Sequence, residues 1–158
     1  MTTHVCGGKN LSMTVQQDPI AVLSDHESWD LLKSAALGRL VTHVGDQLEI
    51  FFPVNFVTQK NHTVLFRTAE GTKLFSTVMN DKVLFEVDDH NVVGGWSVII
   101  RGTARVLSSS DEIHEAERAQ LLPWVATEKL RFVRITPHEL SGRRFVFGPE
   151  PDHGSYPG

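Results

Sequence analysis

From Arg39 onward the chain alternates short apolar, β-branched runs with tight polar turns. Arg39 to Val44 is apolar at Leu40 and ends on Gly45-Asp46, a pair suited to a tight turn. Leu48 to Phe52 returns as its partner. Pro53 interrupts that run and cannot donate to a ladder, which predicts a bend or bulge before Val54 to Thr58 resumes the strand. Lys60-Asn61 marks the next turn and Thr63 to Thr68 the next strand. Further strands are predicted over Lys82–Asp88, Trp96–Leu107, Lys129–Thr136 and, briefly, Arg144–Phe147.

A helical period replaces this alternation in three places. Ser24-Asp25-His26-Glu27 matches a capping box, and Trp29, Leu32 and Ala36 follow as one apolar stripe, with Gly38 as the expected C-cap. Thr72 to Met79 reads as a short helix burying Leu74, Phe75 and Val78. Ser109 and Glu112 form a second capping box before a helix ending near Leu122-Pro123. Short strands joined by hairpins, with helices at the interruptions, exclude a doubly wound sheet. They predict a mainly β fold with peripheral α, a small antiparallel barrel carrying helices at its rim. The ordered domain is expected over residues 23–148. Residues 1–22, with Gly7-Gly8 and Asp18-Pro19, read as a flexible N-terminal arm in which Met13 is a second candidate start, and 149–158 as a loose tail.

Composition narrows the classes. At 158 residues, 41% hydrophobic and 22% charged, the chain suits one globular domain. A net charge of −4 argues against a general nucleic-acid binder, so no nucleic-acid partner is expected. No apolar run reaches about 18 residues, so no membrane span is expected. The N-terminus lacks a signal-peptide pattern, and the single cysteine, Cys6, has no internal partner; both fit a cytoplasmic setting.

Candidate chemistry concentrates where the strand ending at Thr68 hands over to the helix expected from Thr72. Arg67, Thr68, the turn at Gly71 and Lys73 would converge there with the free N–H groups of a helix start. That combination suits an anion, phosphate above all. A surface hairpin with ordinary charges is the alternative. Pro53-Val54-Asn55-Phe56 would expose backbone groups at a kink, and irregular strands of this sort are enriched beside sites. Trp96-Ser97, directly after Gly94-Gly95, either caps the barrel core or lies against a flat ligand with Ser97 donating a hydrogen bond. Glu86 and Asp88 share a strand face, as a carboxylate pair or as a solvated strand end. Asp88, Asp89 and His90 come nearest to a metal cluster but read better as an acidic loop. Arg101 and Arg105 read as surface ion pairs, and Arg143-Arg144 as a basic spot. There is no Gly-x-Ser-x-Gly nucleophile elbow.

Taken together, Leu37-Gly38-Arg39-Leu40, Pro53-Val54-Asn55-Phe56, Phe66-Arg67-Thr68 with Gly71-Thr72-Lys73, and Gly95-Trp96-Ser97-Val98 leading to Arg101-Gly102 resemble the pyridoxamine 5′-phosphate oxidase-like proteins. These are flavin or deazaflavin oxidoreductases built on a split β-barrel, FMN-binding in type and Greek-key-like. The resemblance implies a homodimer with a cofactor at each subunit interface and a small-molecule substrate. Arg67, Thr68 and Lys73 would hold the FMN phosphate, and Pro53, Val54, Asn55 and Phe56 would run along the ring. Trp96 and Ser97 would reach it from a neighbouring segment or subunit. Relatives of this kind also use F420 in place of FMN, and some bind haem, so the alternatives to an FMN-binding oxidoreductase are an F420-dependent reductase on the same fold or a non-catalytic flavin- or haem-binding protein. The Arg-Leu-x-x-Arg-type stretch of true pyridoxamine phosphate oxidases is replaced here by Ser141-Gly142-Arg143-Arg144, which argues against vitamin B6 oxidation. No protein acid or base is expected to be essential, because the cofactor would carry the chemistry.

Overall fold

Alternating runs become strands when a shared face can be buried, and here that face closes on itself. A computed structural model describes residues 18–69, 81–119, 121 and 130–149. Within them the order is β1 (Ile20–Leu23), α1 (Asp25–Ser34), β2 (Leu37–Val44), β3 (Gln47–Gln59), β4 (Thr63–Ala69), β5 (Asp81–His90), β6 (Gly94–Val106), α2 (Ser110–Glu117) and β7 (Leu130–Val146). Neighbouring strands run β1-β7-β4-β3-β2-β5-β6, and β6 pairs back onto β7. That last pairing closes six antiparallel strands into a barrel, with β1 added along the C-terminal part of β7.

Closure demands long, bent strands, and two register shifts supply the bends. Gly38 pairs with Val54 but Leu40 with Phe51, so β3 carries one extra residue beside Pro53, where the sequence placed a bulge. On β7, Arg101 pairs with Glu139 but Gly102 with Pro137, leaving His138 as the extra residue; its Nε2 lies 2.6 Å from Thr103 Oγ1. Gly102 is required at this bend, because a Cβ there would collide with the Thr136 carbonyl oxygen.

The inward rows form the core. Leu40, Phe56, Phe66, Phe85, Val98, Ile100 and Ile135 lie within it, closed at one end by Trp29 and Leu32 of α1. Phe56 and Phe85 meet edge to face at 5.1 Å between ring centres. Burial of each such large side chain contributes roughly 1.5–3 kcal/mol. A second, outer cluster joins Leu65, Leu107, Ala116 and Leu121, which seats α2 on the outside of the barrel. At the β3–β4 hairpin His62 takes a left-handed φ of 57° and stacks on Trp29 at 4.9 Å.

Several local expectations change. Residues 20–22, placed in the arm by sequence, belong to β1, paired with β7 from Gly142 to Phe145. The capping box at Ser24 and Glu27 forms in full, but α1 ends at Ser34 with Ala35 as an extended C-cap, leaving Ala36 outside the helix and exposed. Gly38 instead lies in β2, where a Cβ would sit 2.5 Å from the Phe85 ring. Only half of the second capping box forms: Ser109 Oγ accepts from Glu112 N–H, while the Glu112 carboxylate turns to Arg105 and Arg134. The runs on either side of Pro53 are one strand, and so are the two expected at the C-terminal end. The helix expected over Thr72–Met79 lies outside the described residues, and the second helix ends at Glu117 with Arg118 as its C-cap, short of the expected Leu122-Pro123.

Candidate functional site

Strand periodicity assigns the candidate residues to two faces. Phe56 and Phe66 are cross-strand partners buried in the barrel. The same register carried one residue further sets Asn55 opposite Arg67, with both side chains on the outside. Leu37 pairs with Asn55 on the other flank, and Asp88 pairs with Ser97. Arg39 pairs with Glu86, which brings Leu37 level with Asp88. Arg67, Asn55, Leu37, Asp88 and Ser97 therefore form one lateral row across five strands of the outer surface. Four strand spacings of roughly 4.8 Å give it a length of about 19 Å along the curved wall.

At one end of this row Arg67 is half-buried and fixed. Its Nη2 donates to the Leu121 carbonyl, and its guanidinium carbon lies 5.7 Å from the centre of the Phe132 ring, its cross-strand partner. A guanidinium carries five donors, so this anchoring orients the group without consuming it. Thr68 is buried beside it. Val54 and Phe56 point into the core, so a ligand on the outer wall would meet their backbone and the Asn55 side chain. Pro53 sits in the bulge. Lys73 lies outside the described residues.

Towards the other end, Arg39 Nη1 lies 2.6 Å from Glu86 and 3.0 Å from Asp88. The hydrogen bonds it donates to Asp88 and then Glu86 raise the Arg39 pKa above its ordinary value. The two carboxylates therefore belong to a surface ion-pair cluster rather than to an acid–base pair. Ser97 Oγ faces the same cluster, 3.4 Å from Glu86. Trp96 turns to the opposite side of β6, into the barrel core. Arg101 pairs with Glu139 at 3.8 Å and Arg105 with Glu112 at 2.6 Å, the surface pairing expected for both. Among the described residues no group of three His, Cys, Asp or Glu could hold a metal ion.

Sequence reasoning missed the two anchors of Arg67 and the role of Arg39. Phe132 and the Leu121 carbonyl reach Arg67 only through the β4–β7 register and the turn after α2, which no local pattern encodes. Arg39 carried a signal, since it lies between two inward positions and opposite an acidic strand, but its partners depend on pairing β2 with β5.

A closed six-stranded antiparallel barrel with helices packed against it is the split-barrel fold, and similar solved structures share it. The chain belongs to the pyridoxamine 5′-phosphate oxidase family, whose family model matches residues 24–144. It is similar to the FAD binding protein from Mycobacterium smegmatis, with 58% identity and a TM-score of 0.74 over 81% of this chain and 100% of that one. It also resembles a conserved protein of unknown function from Corynebacterium diphtheriae, with 43% identity and a TM-score of 0.71 over 82% of this chain and 100% of that one. An uncharacterized protein of Mycobacterium tuberculosis (strain H37Rv) is 60% identical over 93 residues, 59% of this chain and 84% of its own length.

Proposed function

We propose that this protein binds a flavin along the outer row from Arg67 to Ser97 and acts as an oxidoreductase on a small molecule. The observation that carries this reading is the anchored Arg67. A cation held by a carbonyl and an aromatic face loses little freedom on binding an anion, so its charge-assisted bonds are used efficiently. The residues present fit the group. Arg67 and Thr68, with Lys73, would hold the phosphate next to the ribityl chain. Asn55 and the backbone of Pro53, Val54 and Phe56 would bear on the ring, and Ser97 closes the row. Trp96, turned into the barrel core, is not part of this row.

FMN and FAD both present that phosphate, and the name of the Mycobacterium smegmatis relative favours FAD as the second reading. The flavin would supply hydride or electron transfer, and the chain's part is to position it and keep water away. Leu37 is 40% exposed in the middle of the row, so the outer wall needs a cover. A second copy of the chain fills that role in this reading, giving a homodimer.

The test is the absorbance spectrum of the purified protein, the identity of the molecule released on denaturation, and the mass in solution. Flavin bands from a dimer are expected. Arg67→Met should weaken flavin binding about tenfold or more, since a charge-assisted bond contributes roughly 1.5–3 kcal/mol. Wild-type flavin affinity in that variant, or a preparation that takes up F420 or haem and ignores flavin, overturns the reading.

A further inference from the structure

The strands that carry the outer row have a second face. On β5, β6 and β7, Asp89, Trp96 and Arg144 are direct cross-strand partners, and cross-strand partners project to the same side of a sheet. Their side is the one opposite Ser97. All three line one cavity of about 250 Å³, together with Val93, Phe145 and Val146.

Three polar side chains line this cavity with no side-chain hydrogen-bond or ion-pair partner among the described residues. Trp96 is only 8% exposed, and it lines the cavity. Arg144 and Asp89 share the cavity yet make no ion pair with each other within 4 Å. Asp89 Oδ1 accepts only from the N–H of its own neighbour, His90. Glu27 of α1 feels the charge of Arg144, but its carboxylate is engaged by the Ser24 N–H at 2.8 Å. The lateral order is therefore anion, indole donor, cation, each one strand spacing of roughly 4.8 Å from the next. Val93, 63% exposed, and Val146, 46% exposed, supply an apolar wall.

A simple anion would meet Asp89 in this cavity, and a simple cation would meet Arg144. A neutral apolar molecule would desolvate both charges without pairing either. A zwitterion with an apolar side chain satisfies all three groups. The volume lies just below the roughly 300–1,000 Å³ typical of drug-sized ligands, which suits one small molecule. We propose that this cavity binds an apolar α-amino acid, its carboxylate held by Arg144 and the Trp96 N–H and its ammonium by Asp89. The proposal is independent of the flavin reading, because the cavity lies on the opposite face of the strands from the outer row.

The test is calorimetric titration of the protein as purified, with whatever cofactor it carries, using L-phenylalanine, 3-phenylpropionate and phenethylamine as probes. Saturable binding of L-phenylalanine is expected, with each single-charge analogue about tenfold weaker or more. Arg144→Met and Asp89→Asn should each weaken L-phenylalanine binding about tenfold, a loss of one charge-assisted contact. Asp89 is exposed, so its variant keeps the test open if Arg144→Met does not fold. Absence of saturable binding, affinity unchanged in a folded variant, or analogues that bind as well as L-phenylalanine would overturn the proposal. So would binding that emerges only after the cofactor is stripped, since the cavity would then be part of the cofactor site.

Discussion

Replacing Glu112 by Gln removes one negative charge from a cluster that the fold gathers beneath α2. Its carboxylate accepts from Arg105 at 2.6 and 3.2 Å and from Arg134 Nη1 at 3.3 Å. Arg134 is the vulnerable partner. It is nine-tenths buried, its Nε is held by Gln59 at 3.0 Å, and its Nη2 is buried with no hydrogen-bond partner among the described residues. Breaking a fully buried ion pair costs roughly 3–5 kcal/mol, whereas an exposed pair contributes at most about 1 kcal/mol. Here Arg134 is 10% exposed, Glu112 26% and Arg105 47%, so water already screens two of the three. A loss of about 2 kcal/mol at neutral pH follows for Glu112→Gln.

The same cluster sets a pH dependence. Hydrogen bonds from Arg105, with smaller contributions from Ser109 and Arg134, lower the Glu112 carboxyl from 4.5 to about 2. A depressed carboxylate contributes stability that is complete above its unfolded pKa and lost as pH falls through its folded one. Urea unfolding should therefore show the full gap between wild type and Glu112→Gln near neutrality. The gap should narrow from 4.5 downward and close around 2. Adding Arg134→Met should recover part of the loss, because it removes the buried unpaired nitrogen. A gap below about 0.5 kcal/mol at neutral pH, or one that does not change on acidification, would refute the reasoning.

Thr42 is 1% exposed and its hydroxyl has no partner among the described residues, so Thr42→Val should stabilise by about 1 kcal/mol and raise the melting temperature; a lower one would mean the hydroxyl is bonded after all. Gly102→Ala sets a Cβ against the Thr136 carbonyl and 3.1 Å from Pro137 Cα, where only backbone could yield. A loss of roughly 1–3 kcal/mol in chemical denaturation is expected, and a neutral result would show that the bulge relaxes. At His62, Asn tolerates the left-handed φ and should lose only the Trp29 stack, about 0.5–1.5 kcal/mol, whereas Val adds backbone strain of roughly 1–2 kcal/mol. Equal thermal stability of the two variants would mean that the hairpin changes conformation.

Much of the barrel was legible because its strands are two-faced. The apolar run Val64-Leu65-Phe66 after the Lys60-Asn61 turn marks β4, and Pro53 announces the β3 bulge. What alternation could not supply was pairing. Arg144 to Phe147 looked like a separate short strand because Ser141 and Gly142 break the apolar pattern. Yet Gly142 is buried, and a Cβ there would run into Ser28 of α1. Ile20 to Val22 looked like arm because a strand that only edges β7 needs no buried alternation, and in β1 only Leu23 is buried. Gly38 misled for a related reason: a glycine after a helix usually signals a cap, but here it accommodates a phenylalanine from β5.

The candidate site follows from the same two-facedness and explains why residue-by-residue reading could find its members but not their grouping. On β4 the core residue Phe66 and the site residue Arg67 are adjacent, and on β6 the core residue Trp96 and the outer Ser97 are adjacent. A slip of one residue in either strand would exchange the roles, burying a charge and exposing an aromatic ring. The bulges at Pro53 and His138 are where the register is adjusted. The first lies between Gly38 and Leu40 on the β2 side, next to Leu37, the β2 residue that links Asn55 to Asp88 along the outer row. Without the extra residue there, β3 beyond the bulge would turn Asn55 inward while Phe51 stayed opposite Leu40. The irregularity that sequence marked as a candidate ligand contact therefore serves the architecture before it serves any ligand, because it sets which residues face the outer wall at all.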